Sequence, residues 1–265
     1  MTALGIKAPA MAPVAGGSRG LPAVLLRLHR PALITWAVLV ALTSALLLWA
    51  HGPGDDAAHA EWLRTCGPGV PCTWSSPIVD YYRARTLAEA VIAVLPLPIA
   101  AWAGAALTGR ELESGTARLA WTQSVSPARW LTAKLALPAA LITVGSAVLV
   151  LLHHLMATAT PFPYDWQWRD ATDFPLDGAL ALAHPLLGLT VGALAGLLLG
   201  RSLPALFAAV AGTEAVLVTP GYLRYEYPES HFWPLGLVET RLALAAVVAA
   251  AAVVIAFRLL RRSAV

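Results

Sequence analysis

The chain has 265 residues, of which 58% are hydrophobic and only 12% charged, and its formal net charge is +3. Soluble globular proteins carry about 25% charged residues, so this chain lacks the polar side chains that would cover a soluble surface. A soluble enzyme and a soluble nucleic-acid binder are therefore excluded. The excess of basic residues is instead expected on segments beside a membrane.

The apolar residues form six blocks, each close to the roughly 20 residues that a membrane-spanning helix needs. The sequence predicts an all-α, polytopic integral membrane protein. The predicted spans are 31–50, 87–108, 131–156, 179–200, 202–219 and 239–258, with a disordered tail at 1–20, a single six-span domain at 21–265, and outer loops at 51–86, 157–178 and 220–238. A cleaved signal peptide is the alternative for the first block, but its apolar run is too long and its basic lead-in starts too late.

The basic residues predict the orientation of the chain. About two thirds of the Arg and Lys residues share one side of the membrane if the N-terminus is cytoplasmic. An even number of spans then places both termini in the cytoplasm.

Alanine is abundant, and Lys7 and Lys134 are the only lysines. This composition suggests a high-GC bacterial genome, and hence the bacterial plasma membrane. Residues 21–30 are expected to form either an interfacial helix or an extension of the first span.

Small and helix-breaking residues lie inside the predicted spans. Pro96, Pro98, Pro138 and Pro185 predict kinked, closely packed helices. The fourth span also carries Gly188, Gly192, Gly196 and Gly200 at a constant four-residue step. This step removes the side chains from one helix face, so another helix can pack there at close range. That helix belongs either to the same chain or to a second copy.

The most informative stretch is residues 109–134, called here the coupling segment, which lies between the second and third spans. Ser126 followed by Pro127 predicts a helix start, because serine caps an orphan amide and proline is favoured at the first helical position. Upstream, Gly115 interrupts the chain before a short helical stretch that would expose Leu119 and Trp121 to water. A helix this short is unstable alone, so a protein partner or the lipid headgroups must support it.

On these residues the chain resembles the permease subunits of type-2 ABC transporters, the class that includes small bacterial exporters. The positions that match this family's pattern are Glu111, Glu113, Gly115, Thr116, Gln123, Ser126, Arg129 and Lys134. The resemblance extends more loosely to residues 21–30, to the six-span plan and to residues 231–240.

The resemblance implies a transporter subunit without cofactors. The short helix would dock in a cleft of a separate ATP-binding subunit, with Leu119 and Trp121 as apolar anchors and Arg118 and Arg129 as orienting charges. Glu111 and Glu113 would pair with basic helix ends, such as Arg110 or Arg27. Two permease copies, or this chain and a homologue, would enclose the path of a hydrophobic or amphipathic compound. A phosphate-binding G-x-x-x-x-G-K-[ST] loop is missing from the sequence, so ATP hydrolysis would come from another chain.

Four other residues are candidates for function. Glu214 lies midway along the fifth span, where a carboxylate is costly, and His184 in the fourth span is a potential partner. Both would face the transport path, or both are packing residues. Cys66 and Cys72 lie in a predicted outer loop, where a disulfide is possible. No metal site is expected, since the adjacent His153 and His154 cannot both face one ion from a regular helix.

Two other functions remain open at this point. An ion-coupled secondary transporter would use Glu214 directly and need no ATPase. A membrane-embedded enzyme would need a set of converging catalytic groups, but the sequence contains neither H-E-x-x-H nor G-x-S-x-G.

Overall fold

The computed structural model describes residues 27, 29–66, 75–123, 125–159, 178–226 and 237–263, and these residues are almost entirely helical, with no strand. Six helices within these ranges are long and apolar enough to cross a membrane. They are Arg30–Thr65, Ser76–Glu113, Pro127–Leu155, Gly178–Leu199, Ser202–Tyr222 and Glu239–Arg262. The all-α, six-span prediction is thereby confirmed. The predicted tail at 1–20 and most of the stretch 21–30 lie outside the described residues.

The described ranges form ten α-helices and two π-helical turns. In chain order they are α1 (Arg30–Trp49), π1 (Ala50–Gly54), α2 (Asp55–Thr65), α3 (Ser76–Val94), α4 (Pro96–Trp102), π2 (Ala103–Gly109), α5 (Arg110–Glu113), α6 (Thr116–Thr122), α7 (Pro127–Ala159), α8 (Gly178–Leu199), α9 (Ser202–Glu226) and α10 (Leu237–Ser263). The first span therefore comprises α1, π1 and α2, and the second comprises α3, α4, π2 and α5.

The predicted outer loop 51–86 is largely helical, contrary to the prediction. The helix does not end at residue 50, the predicted limit of the first span, because the chain passes through π1 and continues as α2. The wider π-helical turn accommodates the missing N–H of Pro53. The ring of Trp49 lies against Gly54, where an added Cβ would come within 2.9 Å of it. The predicted loop 220–238 is likewise shortened, because α9 extends to Glu226 and α10 begins at Leu237.

The second span is interrupted at Leu95, between α3 and α4. Pro96 and Pro98 have no amide hydrogen, so the carbonyls four residues earlier lose their helical donors. On the C-terminal side of Leu95, α4 and π2 pack against α8 and α9. Helix α1, in contrast, packs against α3 and α7. After Leu95 the second span therefore packs against different helices from those that contact α1.

Helix α8 is the centre of the bundle, in contact with α4, π2, α7, α9 and α10. A Cβ at Gly188 or Gly192 would overlap the carbonyl oxygen of Pro96 or Ala100, and one at Gly196 would overlap the Thr108 hydroxyl. Three glycines of the predicted face thus lie against the second span of the same chain.

Gly200 is the exception to this arrangement. An added Cβ there would meet nothing within 4 Å, and its φ of 60° is left-handed. Gly200 therefore does not pack against a helix of the same chain among the described residues, since it follows the last residue of α8 and ends that helix.

Candidate functional site

The coupling segment folds as two short helices joined by a tight turn. The amide of Ser114 donates to the carbonyl of Arg110 at 3.0 Å, and the amide of Gly115 donates to that of Leu112 at 3.2 Å. Gly115 has a φ of 75°, a left-handed conformation that glycine adopts without strain. The chain thus turns sharply between α5 and α6 at the predicted interruption.

Helix α7 begins at Pro127, as the sequence predicted. The Ser126 hydroxyl accepts a hydrogen bond from the amide of Arg129 at 3.3 Å. This bond satisfies one of the free amides at the helix start. The side chain of Arg129 is exposed there.

Helix α6 lies on its own bundle. Ala117 is fully buried, and Trp121 packs edge to face on Trp130 with ring centroids 5.7 Å apart. The apolar cluster beneath them includes Leu131 of α7 and Leu260 of α10. The third and sixth spans therefore supply the support that this short helix requires.

The prediction that Trp121 is exposed is wrong, because it is half-buried in this cluster. Ala117 and Trp121 are four residues apart and so share one face of α6, while Leu119 lies on the opposite face. The Leu119 side chain is 57% exposed, and Arg118 is exposed beside it. The four-residue spacing of Ala117 and Trp121 was the sequence signal for this burial.

Glu111 binds Lys134 and not the predicted partners Arg110 or Arg27. Its Oε1 lies 2.5 Å from the Lys134 Nζ. The Lys134 side chain is 2% exposed, that of Glu111 is 19% exposed, and the ammonium lies 5.3 Å from the centroid of the Trp130 ring. This ion pair fastens the end of the second span to the beginning of the third.

Glu113 binds the start of α9 instead of a basic side chain. Its Oε2 accepts hydrogen bonds from the amide of Ser202, at 2.9 Å, and from the Ser202 hydroxyl. A carboxylate in this position satisfies a free amide and interacts favourably with the helix dipole. The two glutamates of α5 thus connect the second span with the third and the fifth. A displacement of α5 would be transmitted to both.

Glu214 and His184 line one cavity but do not bind each other. The cavity has a volume of about 570 Å³ and also contacts Arg241, Leu97 and Tyr222. His184 is buried, whereas Glu214 is exposed on the surface of the bundle. Within the part of the chain that the structure describes, Glu214 has neither a hydrogen bond nor an ion pair.

Glu214 lies on a continuous exposed stripe of α9. The other large members of the stripe are Leu203, Phe207, Val218 and Tyr222, spaced so that they share one helix face. Ser202 begins the helix, so Glu214 lies about 18 Å along it at 1.5 Å per residue. The carboxylate is therefore near the middle of the span.

The remaining predicted site residues are less informative. Cys72 lies outside the described residues, so its bridge to Cys66 stays a prediction. His153 lies 3.6 Å from Glu89, which also accepts a hydrogen bond from Arg85 at 2.7 Å. Among the described residues, no group of three or more His, Cys, Asp or Glu is placed to hold a metal ion.

The comparison with protein families agrees with this arrangement. Residues 33–224 match the model of the family described as "ABC-2 membrane transporter related", which is well over half of the chain. The chain belongs to this family. Among curated proteins and among solved structures, no significant match was found.

The family match establishes an ABC-2 type permease, a polytopic protein of the membrane-transporter class. The matched region contains the first five spans of this ABC-2 permease, including the whole coupling segment. The ion pair of Glu111 and the exposed surface of α6 therefore both lie within the part of the chain that defines the family.

Proposed function

We propose that this ABC-2 permease is the membrane subunit of an ATP-driven exporter in a bacterial plasma membrane, with both termini and the coupling segment in the cytoplasm. Two copies, or this chain and a homologue, would enclose the path of a hydrophobic or amphipathic compound. The observation that carries the proposal is a short helix that is held firmly by the bundle on one face and is free on the other.

The free face of α6 has the properties of a docking surface. Leu119 presents an apolar side chain to solvent, and the neighbouring Arg118 adds a positive charge. An apolar anchor beside a charge is typical of a small protein interface. The partner would be a separate ATP-binding subunit, because the sequence contains no phosphate-binding loop of its own.

The face of α6 that packs on the bundle, together with α5, would transmit movements of a docked ATP-binding subunit to the spans. Trp121 contacts Trp130 at the start of the third span, in a cluster that also includes Leu260 of the sixth. Glu111 and Glu113 bind the third and the fifth spans. Movement of an ATP-binding subunit would thus reach three spans through contacts that are largely buried or hydrogen-bonded.

The exposed stripe of α9 supports the assignment of the translocation path. A carboxylate that faces lipid near mid-membrane is costly, so the face with Glu214 is expected to meet water, substrate or a second permease copy. His184 lines the same cavity from the fourth span. We therefore assign both residues to the path.

The docking proposal is tested by co-expression of the chain with candidate ATP-binding subunits, followed by co-purification. Leu119→Asp should abolish co-purification and ATP-dependent transport. The matched control is Leu63→Asp, which changes another exposed leucine, on α2. Retained co-purification and retained transport in Leu119→Asp would refute the docking surface, as would equal losses in both variants.

An ion-coupled secondary transporter is the second candidate, favoured by the unpaired Glu214. Transport by reconstituted permease alone, driven by a proton gradient and lost in Glu214→Gln, would replace the ATP-driven proposal. Transport that requires the ATP-binding subunit and its hydrolysis supports the proposal instead.

A further inference from the structure

A second cavity lies where the first and second spans diverge. Below Leu95 the second span packs towards α8 and α9, away from α1. The space left between α1 and α4 is backed by α7 and has a volume of about 310 Å³. It is separate from the cavity of Glu214 and His184, with which it shares no lining residue. Its volume is at the lower end of the range for small-molecule sites.

The walls of this cavity, called here the α1–α4 pocket, are almost entirely apolar. The polar side chains among its lining residues are those of His29, Thr35 and Lys134, together with the indole N–H groups of Trp36 and Trp102. The Trp36 indole is fixed, since its N–H donates to the carbonyl of Leu141 at 3.2 Å and its ring lies against Gly145. The pocket therefore has rigid, apolar walls that suit an aliphatic chain.

The pocket extends along α1 and reaches exposed residues on two helices. Its α1 wall extends from Ala32 to Leu39, which is about 10 Å at 1.5 Å per residue. Thr35 and Pro98, on its two facing helices, are exposed. The pocket thus opens between α1 and α4, on the surface of a span whose outer face is apolar and would meet lipid.

One end of the pocket is polar. His29 closes it against Trp102, edge to face, with ring centroids 5.4 Å apart. The Nε2 of His29 is buried and has no hydrogen-bond partner among the described residues. Burial, followed by the charge of Lys134, lowers the pKa of His29.

The net positive charge near this end comes from Arg27 and Arg30. Both are exposed and flank His29 in the sequence, but neither lines the pocket. Lys134 lines the pocket and is paired with Glu111. An occupant with an acidic oxygen at this end would supply a partner for the His29 Nε2 and meet a favourable field.

We propose that the α1–α4 pocket binds an amphiphile with an aliphatic tail and an anionic, oxygen-bearing head, the tail between α1, α4 and α7 and the head beside His29 and Arg30. The ligand is either a free fatty acid or one acyl chain of an anionic phospholipid. The binding proposal does not rest on the proposed function, since it is tested without an ATP-binding subunit or ATP.

The test is quenching of tryptophan fluorescence in the full-length permease by bromine-labelled ligands. Bromolaurate is titrated into detergent-solubilised protein, and bromine-labelled phosphatidylglycerol is introduced into nanodiscs in a separate arm. We expect saturable quenching that unlabelled laurate reverses and that Trp36→Phe diminishes, because Trp36 lines the pocket. Saturable quenching that Trp36→Phe diminishes supports the pocket in either arm, and the arm that responds identifies the source of the ligand.

A matched pair of variants separates the pocket from general partitioning into detergent or lipid. Ala133 lines the pocket, whereas Ala136, one turn further along α7, is exposed and does not. Ala133→Leu should weaken binding by about tenfold or more, and Ala136→Leu should leave it unchanged. Equal quenching in both variants would overturn the proposal.

The head group is tested by a second variant, which removes the imidazole but keeps a side chain at the polar end of the pocket. His29→Leu should weaken the binding of bromolaurate more than that of the uncharged bromododecanol. If wild-type protein binds both ligands equally well and His29→Leu changes neither, the anionic head is wrong and the inference fails as stated. Size-exclusion profiles equal to wild type would show that each variant is folded.

Discussion

The ion pair of Glu111 and Lys134 gives the sharpest prediction about stability. Glu111→Ala leaves an ammonium whose side chain is 2% exposed without its counter-ion. Loss of one partner of a buried pair costs about 3–5 kcal/mol. Glu111 itself is 19% exposed and lies at the end of a span, so water can partly solvate the vacated space. We therefore expect a loss of about 2–3 kcal/mol, near the lower limit of that range.

The loss should appear as a fall of about 5–10 °C in the melting temperature of the purified protein. The double variant Glu111→Ala with Lys134→Met should recover most of it, because it removes the unpaired charge and keeps an unbranched apolar stem in the same space. Asp56→Ala is the control, since Asp56 is exposed and its loss should change the melting temperature by about 1–2 °C.

A melting temperature for Glu111→Ala within the range of the Asp56→Ala control would refute this interpretation of the ion pair. So would a double variant that is no more stable than Glu111→Ala, because the loss would then come from the missing glutamate and not from the unpaired lysine.

Three further predictions concern glycine and the α9 cap. Gly192→Ala should destabilise the protein by about 1–3 kcal/mol, because its Cβ would overlap the Ala100 carbonyl. Gly212→Ala, whose Cβ would meet only Val191 at 3.4 Å, should leave the melting temperature near wild type. Gly115→Ala should cost about 1–2 kcal/mol in the same measurement, because alanine disfavours a φ of 75°. Glu113→Gln should speed amide hydrogen exchange in the first turn of α9 but not of α7, and equal exchange in both would contradict the capping contact.

The membrane-spanning plan could be predicted from the sequence because its causes are local. A helix that crosses a bilayer needs an apolar run of a certain length, so the six spans can be predicted without knowledge of any tertiary contact. The start of α7 was readable for the same reason, since Ser126 caps an amide only three residues away. The break at Gly115 is local too, because it depends on the backbone freedom of one residue.

The partners of the polar residues could not be predicted, because they join residues far apart in the chain. Lys134 is 23 residues from Glu111, and Ser202 is 89 residues from Glu113. These pairs depend on how the spans pack against one another. Sequence reasoning therefore selected the right glutamates and assigned them the wrong partners.

The packing of membrane-spanning helices is difficult to predict from the sequence. In a soluble helix the apolar face marks the core, but in a bilayer the lipid-facing and protein-facing sides are both apolar. Composition therefore established that this chain crosses a membrane six times. The tertiary structure alone decided which face each helix buries, that Trp121 packs inward on Trp130 while Leu119 points outward, and that a pocket lies between α1, α4 and α7.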